Sequence, residues 1–226
     1  MRPGRRALRV DVIGRRLAPA DLLQGFRRAH PRTELDVATL FDAETAIEAV
    51  RSGTIDASFR AITMPDRLPE GVAATPVFDE PVQLLTGPGH ELAAVGTIEP
   101  ARLAGHLIWM PGIVPGTEWA VFYADLAAAF GLSIEVAGRE FGATPLLEAV
   151  AGTAALATFV GERTRVAWPA EWGLRRIALR SPAPVYPHSL LWRRDSRHPA
   201  LAALRGYLSA ARPSRSGTWV PAWART

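Results

Sequence analysis

The sequence predicts an α/β protein built as two doubly wound, Rossmann-like subdomains with a hinge and a cleft between them, and three observations carry that reading. Strand-like and helix-like segments alternate along most of the 226 residues. One phrase is written twice without a gap: "IEAVRSGTIDASF" at 47–59 and "LEAVAGTAALATF" at 147–159 agree at five of thirteen positions. Each copy spells helix, turn, strand, with an apolar pair at helical spacing (Ile47 and Val50; Leu147 and Val150) before the break. Part of that identity is accident in an Ala-rich chain, but two similar units explain it better. Finally, a strand and a helix remain at the end of the chain after the second unit already has its strands, so they are assigned back to the first.

The elements follow in order. "LRVDVIG" (8–14) reads as a buried strand, and "PADLLQGFRRAHP" (19–31) as a helix with Leu22, Leu23 and Phe26 on one face and Pro31 as a stop. "TELDVATL" (33–40) alternates as a strand, Asp42 is a good N-cap, Gly53 a good C-terminal break, and "IDASF" (55–59) alternates inward. The Pro-rich "TMPDRLPEG" (63–71) interrupts, "FDEPVQLLTGPGH" (78–90) supplies a further strand, and "TIEPARLAG" (97–105) reads as one short helix. The second unit starts at "HLIWMPG" (106–112); Thr117 caps a helix ending at Gly131, "SIEVA" (133–137) is a strand, and Thr144 with Pro145 opens the second copy of the phrase as N-cap and first-turn proline. After "LRRIAL" (174–179) and the Pro-rich "SPAPVYP" (181–187) come the strand "SLLWRRD" (189–195) and the helix "HPALAALRGYLSAA" (198–211). The expected organisation is a basic leader over 1–7, lobe I over 8–85 and 186–211, lobe II over 86–185, and a tail over 212–226. The tail is rich in Pro, Ser and Arg and reads as loosely ordered, although Trp219 and Trp223 could cover a groove.

Composition narrows the function. With 48% hydrophobic residues the chain can bury a core, and the absence of Cys removes disulfides, thiol catalysis and thiolate metal sites together. All 26 basic residues are Arg and they are dispersed, apart from the cluster Arg2, Arg5, Arg6 and Arg9. They read as a solvated surface, with a nucleic-acid face the minority reading. No apolar stretch approaches the roughly 20 residues of a bilayer span, and the N-terminus lacks a signal h-region, so a cytoplasmic protein is expected. The motifs of serine hydrolases, zinc proteases, phosphate loops and dinucleotide folds are missing. The five His are scattered. Neither enzyme nor metal or other cofactor is therefore expected.

Five segments in order resemble the effector-binding domain of LysR-type transcriptional regulators over about residues 8–210: "LRVDVIG" with "FRRAHPRTELDV", "AVRSGTIDASF", "VFDEPVQLLTGPGHELA", "LLEAVAGTAALATFVGE" and "LLWRRDSRHPALAALRGYL". The resemblance implies the type 2 periplasmic-binding-protein fold, a small-molecule effector, and a homodimer or higher homo-oligomer formed side by side. The chain departs from the family in one respect: nothing in it matches the N-terminal winged helix-turn-helix or its linker helix. The expectation is therefore that DNA is reached only through such an absent domain, that no membrane is involved, and that this chain alone binds ligand and self-associates. A stand-alone metabolite-binding protein on the same fold is the alternative.

In doubly wound sheets, ligands sit beyond the carboxyl ends of the strands, where helix N-termini favour anions. The candidate ligand-binding residues are Gly14, Arg15, Arg16 and Leu17 after the first strand, Asp42 and Ala43 after the second, and Ala61 after the third, beside Arg60, Ile62 and Thr63. In the other lobe they are Gly112, Ile113, Val114, Ala143 and Thr144, with Phe141 as further apolar wall. Arg15 or Arg16 would hold a carboxylate through a bidentate bond; the alternative is that both point to solvent. Asp42 reads as a simple N-cap before it reads as a ligand contact. An acidic metabolite is the expected effector.

Overall fold

The computed structural model describes residues 6–14, 17–137, 143–209 and 215–225. Its elements are β1 (Leu8–Asp11), α1 (Ala18–Ala29), β2 (Leu35–Ala38), α2 (Ala43–Arg51), β3 (Ala57–Arg60), β4 (Val72–Thr86), β5 (Thr97–Ile98) and β6 (Leu107–Pro111). They continue with α3 (Glu118–Phe130), β7 (Ser133–Ala137), α4 (Ala143–Gly152), β8 (Leu156–Gly161), β9 (Arg175–Leu179), β10 (Ala183–Arg193), α5 (Pro199–Ser209) and β11 (Thr218–Trp219). The chain forms two compact units: the first comprises Met1–Glu80, Pro187–Ser214 and Ala222–Thr226, the second Pro81–Tyr186 and Arg215–Pro221.

In the first unit β1 lies between β2 and β3, parallel to both, and β10 closes on β3 antiparallel with Leu190 opposite Phe59. Parallel neighbours need crossovers, and α1 and α2 supply them. Leu22, Leu23 and Phe26 of α1 pack with Leu8, Val10 and Phe59 of the strands, and Leu201, Leu204 and Leu208 of α5 join the same core. On the other face Ala46 and Val50 of α2 meet Ile55, Val72 and Leu191.

The second unit repeats the plan. β6 lies between β7 and β8, parallel to both. The two copies of the repeated phrase occupy the same place in the two sheets: Val10 is opposite Ala57 and Ile108 opposite Ala157. Val50 and Val150 are both fully buried, as are Ala57 and Ala157. The α/β fold class expected from the sequence is therefore the one observed.

The sequence reading differs from the structure where proline misleads. β10 begins at Ala183 and runs through Pro184 and Pro187, where the Pro-rich 181–187 suggested a break, and β4 begins at Val72, ahead of the strand expected from 78, and runs through Pro76 as well as Pro81. Proline is compatible with a strand wherever its missing N–H is not needed for a ladder bond. "TIEPARLAG" is the short strand β5 followed by a single 3-10 turn at Pro100–Leu103, not a helix. In the tail, Thr218 and Trp219 pair in parallel with Ala183 and Pro184 of β10. The Trp219 ring packs edge-on against Phe122 and Phe130 of α3 at 6.0 and 5.5 Å, so burial of an aromatic surface outweighs the polar composition around it.

Gly87, just past β4, is fixed by close approach. A Cβ there would lie 2.3 Å from the Val150 carbonyl oxygen and 3.1 Å from that of Ala151, both backbone atoms that cannot swing away. Gly87→Ala is expected to lower unfolding free energy by about 1–3 kcal/mol. Gly89→Ala, whose new methyl would meet Ala154 at an ordinary 3.8 Å, is the control. Urea midpoints of the two variants check this, and equal midpoints would remove the claim.

Candidate functional site

Within each unit the parallel strands bring their carboxyl ends, and the loops leading into the next helix, to one edge of the sheet. In the first unit these are residues 12–14 and Leu17 between β1 and α1, residues 39–42 between β2 and α2, and the segment after β3 that starts at Ala61. In the second they are residues 112–117 between β6 and α3.

The helix starts differ in how they are capped. Asp42 takes extended backbone and its Oδ1 accepts the Thr45 N–H at 2.8 Å, so Asp42 is the N-cap of α2. Hydrogen bonding from Thr45, with a contribution from the Arg60 charge, holds the Asp42 carboxyl below the usual carboxylate range. Thr117 caps α3, its Oγ1 accepting the Ala120 N–H at 3.4 Å while donating to the Val114 carbonyl at 2.7 Å, which folds the Gly112–Thr117 loop back on itself. Gly112 has φ +70°, a value glycine adopts without strain. Ile113 and Val114 are half-buried beside it. At α1 the N-cap is Leu17, which has no side-chain acceptor to offer. The backbone of Leu17 donates to the Gly14 carbonyl at 3.2 Å.

Several sequence-predicted residues take positions the pattern did not specify. Ala61 is 1% exposed, so its methyl belongs to the core. Ala43 is the first residue of α2. Helix α4 begins at Ala143, which places Thr144 inside the first turn and exposed rather than at the cap. Arg15, Arg16 and Phe141 lie outside the described residues. Arg60, read from the sequence as part of a loop, is the last residue of β3 and fully buried.

That burial exposes a cluster the sequence reading missed. Asp11 at the end of β1 and Arg60 at the end of β3 are both 0% exposed and form an ion pair, Nη2 to Oδ2 2.8 Å and Nε to Oδ2 3.2 Å. Ser58 Oγ donates to the same carboxylate oxygen at 2.6 Å. Asp11 Oδ1 accepts the Leu40 N–H at 2.6 Å, and Arg60 Nη2 donates to the Leu40 carbonyl at 2.8 Å. The signal in the sequence was an acid inside the apolar "LRVDV" and an arginine ending "ASFR", two residues beyond Ser58 on the same strand face. Among the described residues no group of His, Cys, Asp and Glu could hold a metal ion, and no helix is long and apolar enough to cross a membrane.

Comparison with known proteins gives one family and many structures. The LysR substrate binding domain family matches residues 6–212. No curated relative matches the chain by sequence. The fold is similar to the reduced OxyR regulatory domain from Pseudomonas aeruginosa, with TM-score 0.70, 18% identity, and coverage of 90% of this chain and 98% of that one. It is also similar to the BenM effector binding domain solved with its effector benzoate, with TM-score 0.71, 16% identity, and coverage of 96% and 98%. Full-length CbnR in complex with its target DNA gives TM-score 0.72 at 17% identity, over 91% of this chain and 70% of that one.

His188 of β10 is also buried next to this cluster, stacked on Phe78 at 6.0 Å. Burial, and then the Arg60 charge, push its pKa down to about 3 from an ordinary 6.5. The folded state thus keeps His188 neutral, so the stability this provides is complete above pH 6.5 and is lost as pH falls toward 3. Other groups titrate in that window, so the measurement is a difference between two proteins. Wild type is expected to lose stability relative to His188→Phe by about 1.4 kcal/mol per pH unit between pH 6 and 4. A pH-independent difference in their urea unfolding free energies would refute the assignment.

Proposed function

We propose an effector-sensing role, starting from the fact that the chain belongs to the LysR substrate binding domain family. It is the ligand-binding part of a LysR-type regulator on the type 2 periplasmic-binding-protein fold. The finer reading is that its effector is a small carboxylate held by the strand-end loops, and that binding alters the geometry of a homodimer and, through a DNA-binding domain, transcription. Its role is regulation by binding, not turnover. BenM, similar in fold, was solved with benzoate, which makes an aromatic acid a reasonable first probe.

The observation that supports an anion is the start of α1. Helices α2 and α3 satisfy their first turn with Asp42 and Thr117, while Leu17 leaves α1 without a side-chain acceptor. Pro19 has no N–H and the Ala20 N–H donates to the Leu17 carbonyl, so it is the helix dipole that favours a negative group there. Asp21 in the same turn offsets part of that field, so affinity for a carboxylate would depend on an arginine as well. Arg15 and Arg16 are adjacent in sequence, and a guanidinium matches a carboxylate in two hydrogen bonds.

The test is a thermal-shift series with benzoate, short aliphatic acids, amino acids and sugar phosphates, run on wild type, Arg15→Ala and Arg16→Ala. A ligand at 100 times its Kd should stabilise the folded state by about 2.7 kcal/mol. A response to carboxylates that at least one arginine variant loses supports the reading. A response only to phosphates or neutral compounds, retained by both variants, refutes the carboxylate and the arginine roles while leaving effector binding in place.

A further inference from the structure

The buried pair of Asp11 and Arg60 does something a charge pair in a core need not do. Its two members hold both backbone groups of one residue outside their own strands: Asp11 accepts the Leu40 N–H and Arg60 donates to the Leu40 carbonyl, at 2.6 and 2.8 Å. Leu40 is two residues before the N-cap, and Asp42 is itself fixed by its bond from Thr45. Between these anchored residues stands Phe41, 64% exposed. A large apolar side chain held open to water on a fastened loop is the arrangement a ligand contact needs, because little ordering remains to be done on binding.

Stability alone does not account for the pair. Buried ion pairs lose much of their attraction to desolvation and can often be replaced by apolar residues without harm. The chain carries its own comparison. Val10 and Ala57 are opposite in the first unit, Ile108 and Ala157 in the second, so Asp11 corresponds to Trp109 and Arg60 to Val160. Trp109 and Val160 pack against the core of the second unit, which builds the same three-strand arrangement without the ion pair.

We propose that Asp11 and Arg60 are positioning residues, which clamp Leu40 so that the β2–α2 loop presents Phe41 and Asp42 to the effector in a single conformation. This rests on the reading that the strand-end loops take the effector, and deepens it by naming what holds one of them.

The experiment compares this chain with its double variant Asp11→Leu/Arg60→Met, which keeps side chains of similar shape and leaves no buried charge alone. Amide exchange is measured at Leu40 and, as an internal reference, at Val10. The expected result is an unchanged urea midpoint, unchanged protection of Val10, and protection of Leu40 reduced tenfold or more. Arg60→Lys, which keeps the charge but has a single donor head, should retain part of the protection. Unchanged protection of Leu40 in a folded double variant overturns the proposal. So does a general loss of protection including Val10, which would make the pair a stability element. Benzoate titration supplies the functional arm: where wild type binds it, the double variant should bind at least tenfold more weakly, and equal affinity overturns the positioning role. Absence of benzoate binding to wild type counts against benzoate as effector only, and exchange at Leu40 then decides the matter.

Discussion

Parallel strands cannot be joined by a tight turn, and that constraint governs the rest of this chain. In the β2-β1-β3 and β7-β6-β8 sets, β1, β2, β6 and β7 are each followed by a helix, α1 to α4, long enough to return the chain to the starting edge. The helices cover both faces, which is why Leu8, Val10, Phe59, Ile108 and Ala157 are apolar and buried without a solvent side. The same connectivity collects every strand-to-helix loop at one edge of each sheet. Ligand chemistry on this fold therefore depends on short loops and helix starts whose own residues are nowhere near one another in sequence.

Against that shared frame the two units have diverged in what they bury. The first places a carboxylate, a guanidinium and a hydroxyl at the ends of β1 and β3 and satisfies them mutually. The second places Met110 and Thr158 in the corresponding region, where the Met110 sulfur accepts from the Phe159 N–H at 3.3 Å. A charged pair stands at the strand ends of one and a soft thioether at those of the other, and the fork of a guanidinium fixes directions that a thioether leaves open.

Much of the fold was legible in the sequence because it rests on local signals. Apolar spacing marked α1 to α5, Asp42 and Thr117 marked two helix starts, Gly131 marked one end with φ +66°, and the doubled phrase revealed the repeat. What escaped was set by distant partners. Pro184 and Pro187 suggest a break until one knows which strand neighbours need a donor. Trp219 looks like tail until Phe122 and Phe130 are beside it. The candidate site was legible only as a set of loops. Arg60 could be taken for a loop residue, since nothing within a few positions of it announces that Asp11 lies across the sheet, 49 residues away.

The pairing of Thr218 and Trp219 with β10 lies beyond residue 212, where the family match stops. A chain shortened to that match would strip an indole from the rings of Phe122 and Phe130 and take from Ala183 and Pro184 of β10 their parallel partner. Bare aromatic surface next to open backbone invites other copies of the chain to complete it. Thr218 and Trp219 thus act as a cover, closing backbone and ring surface that would otherwise stand open.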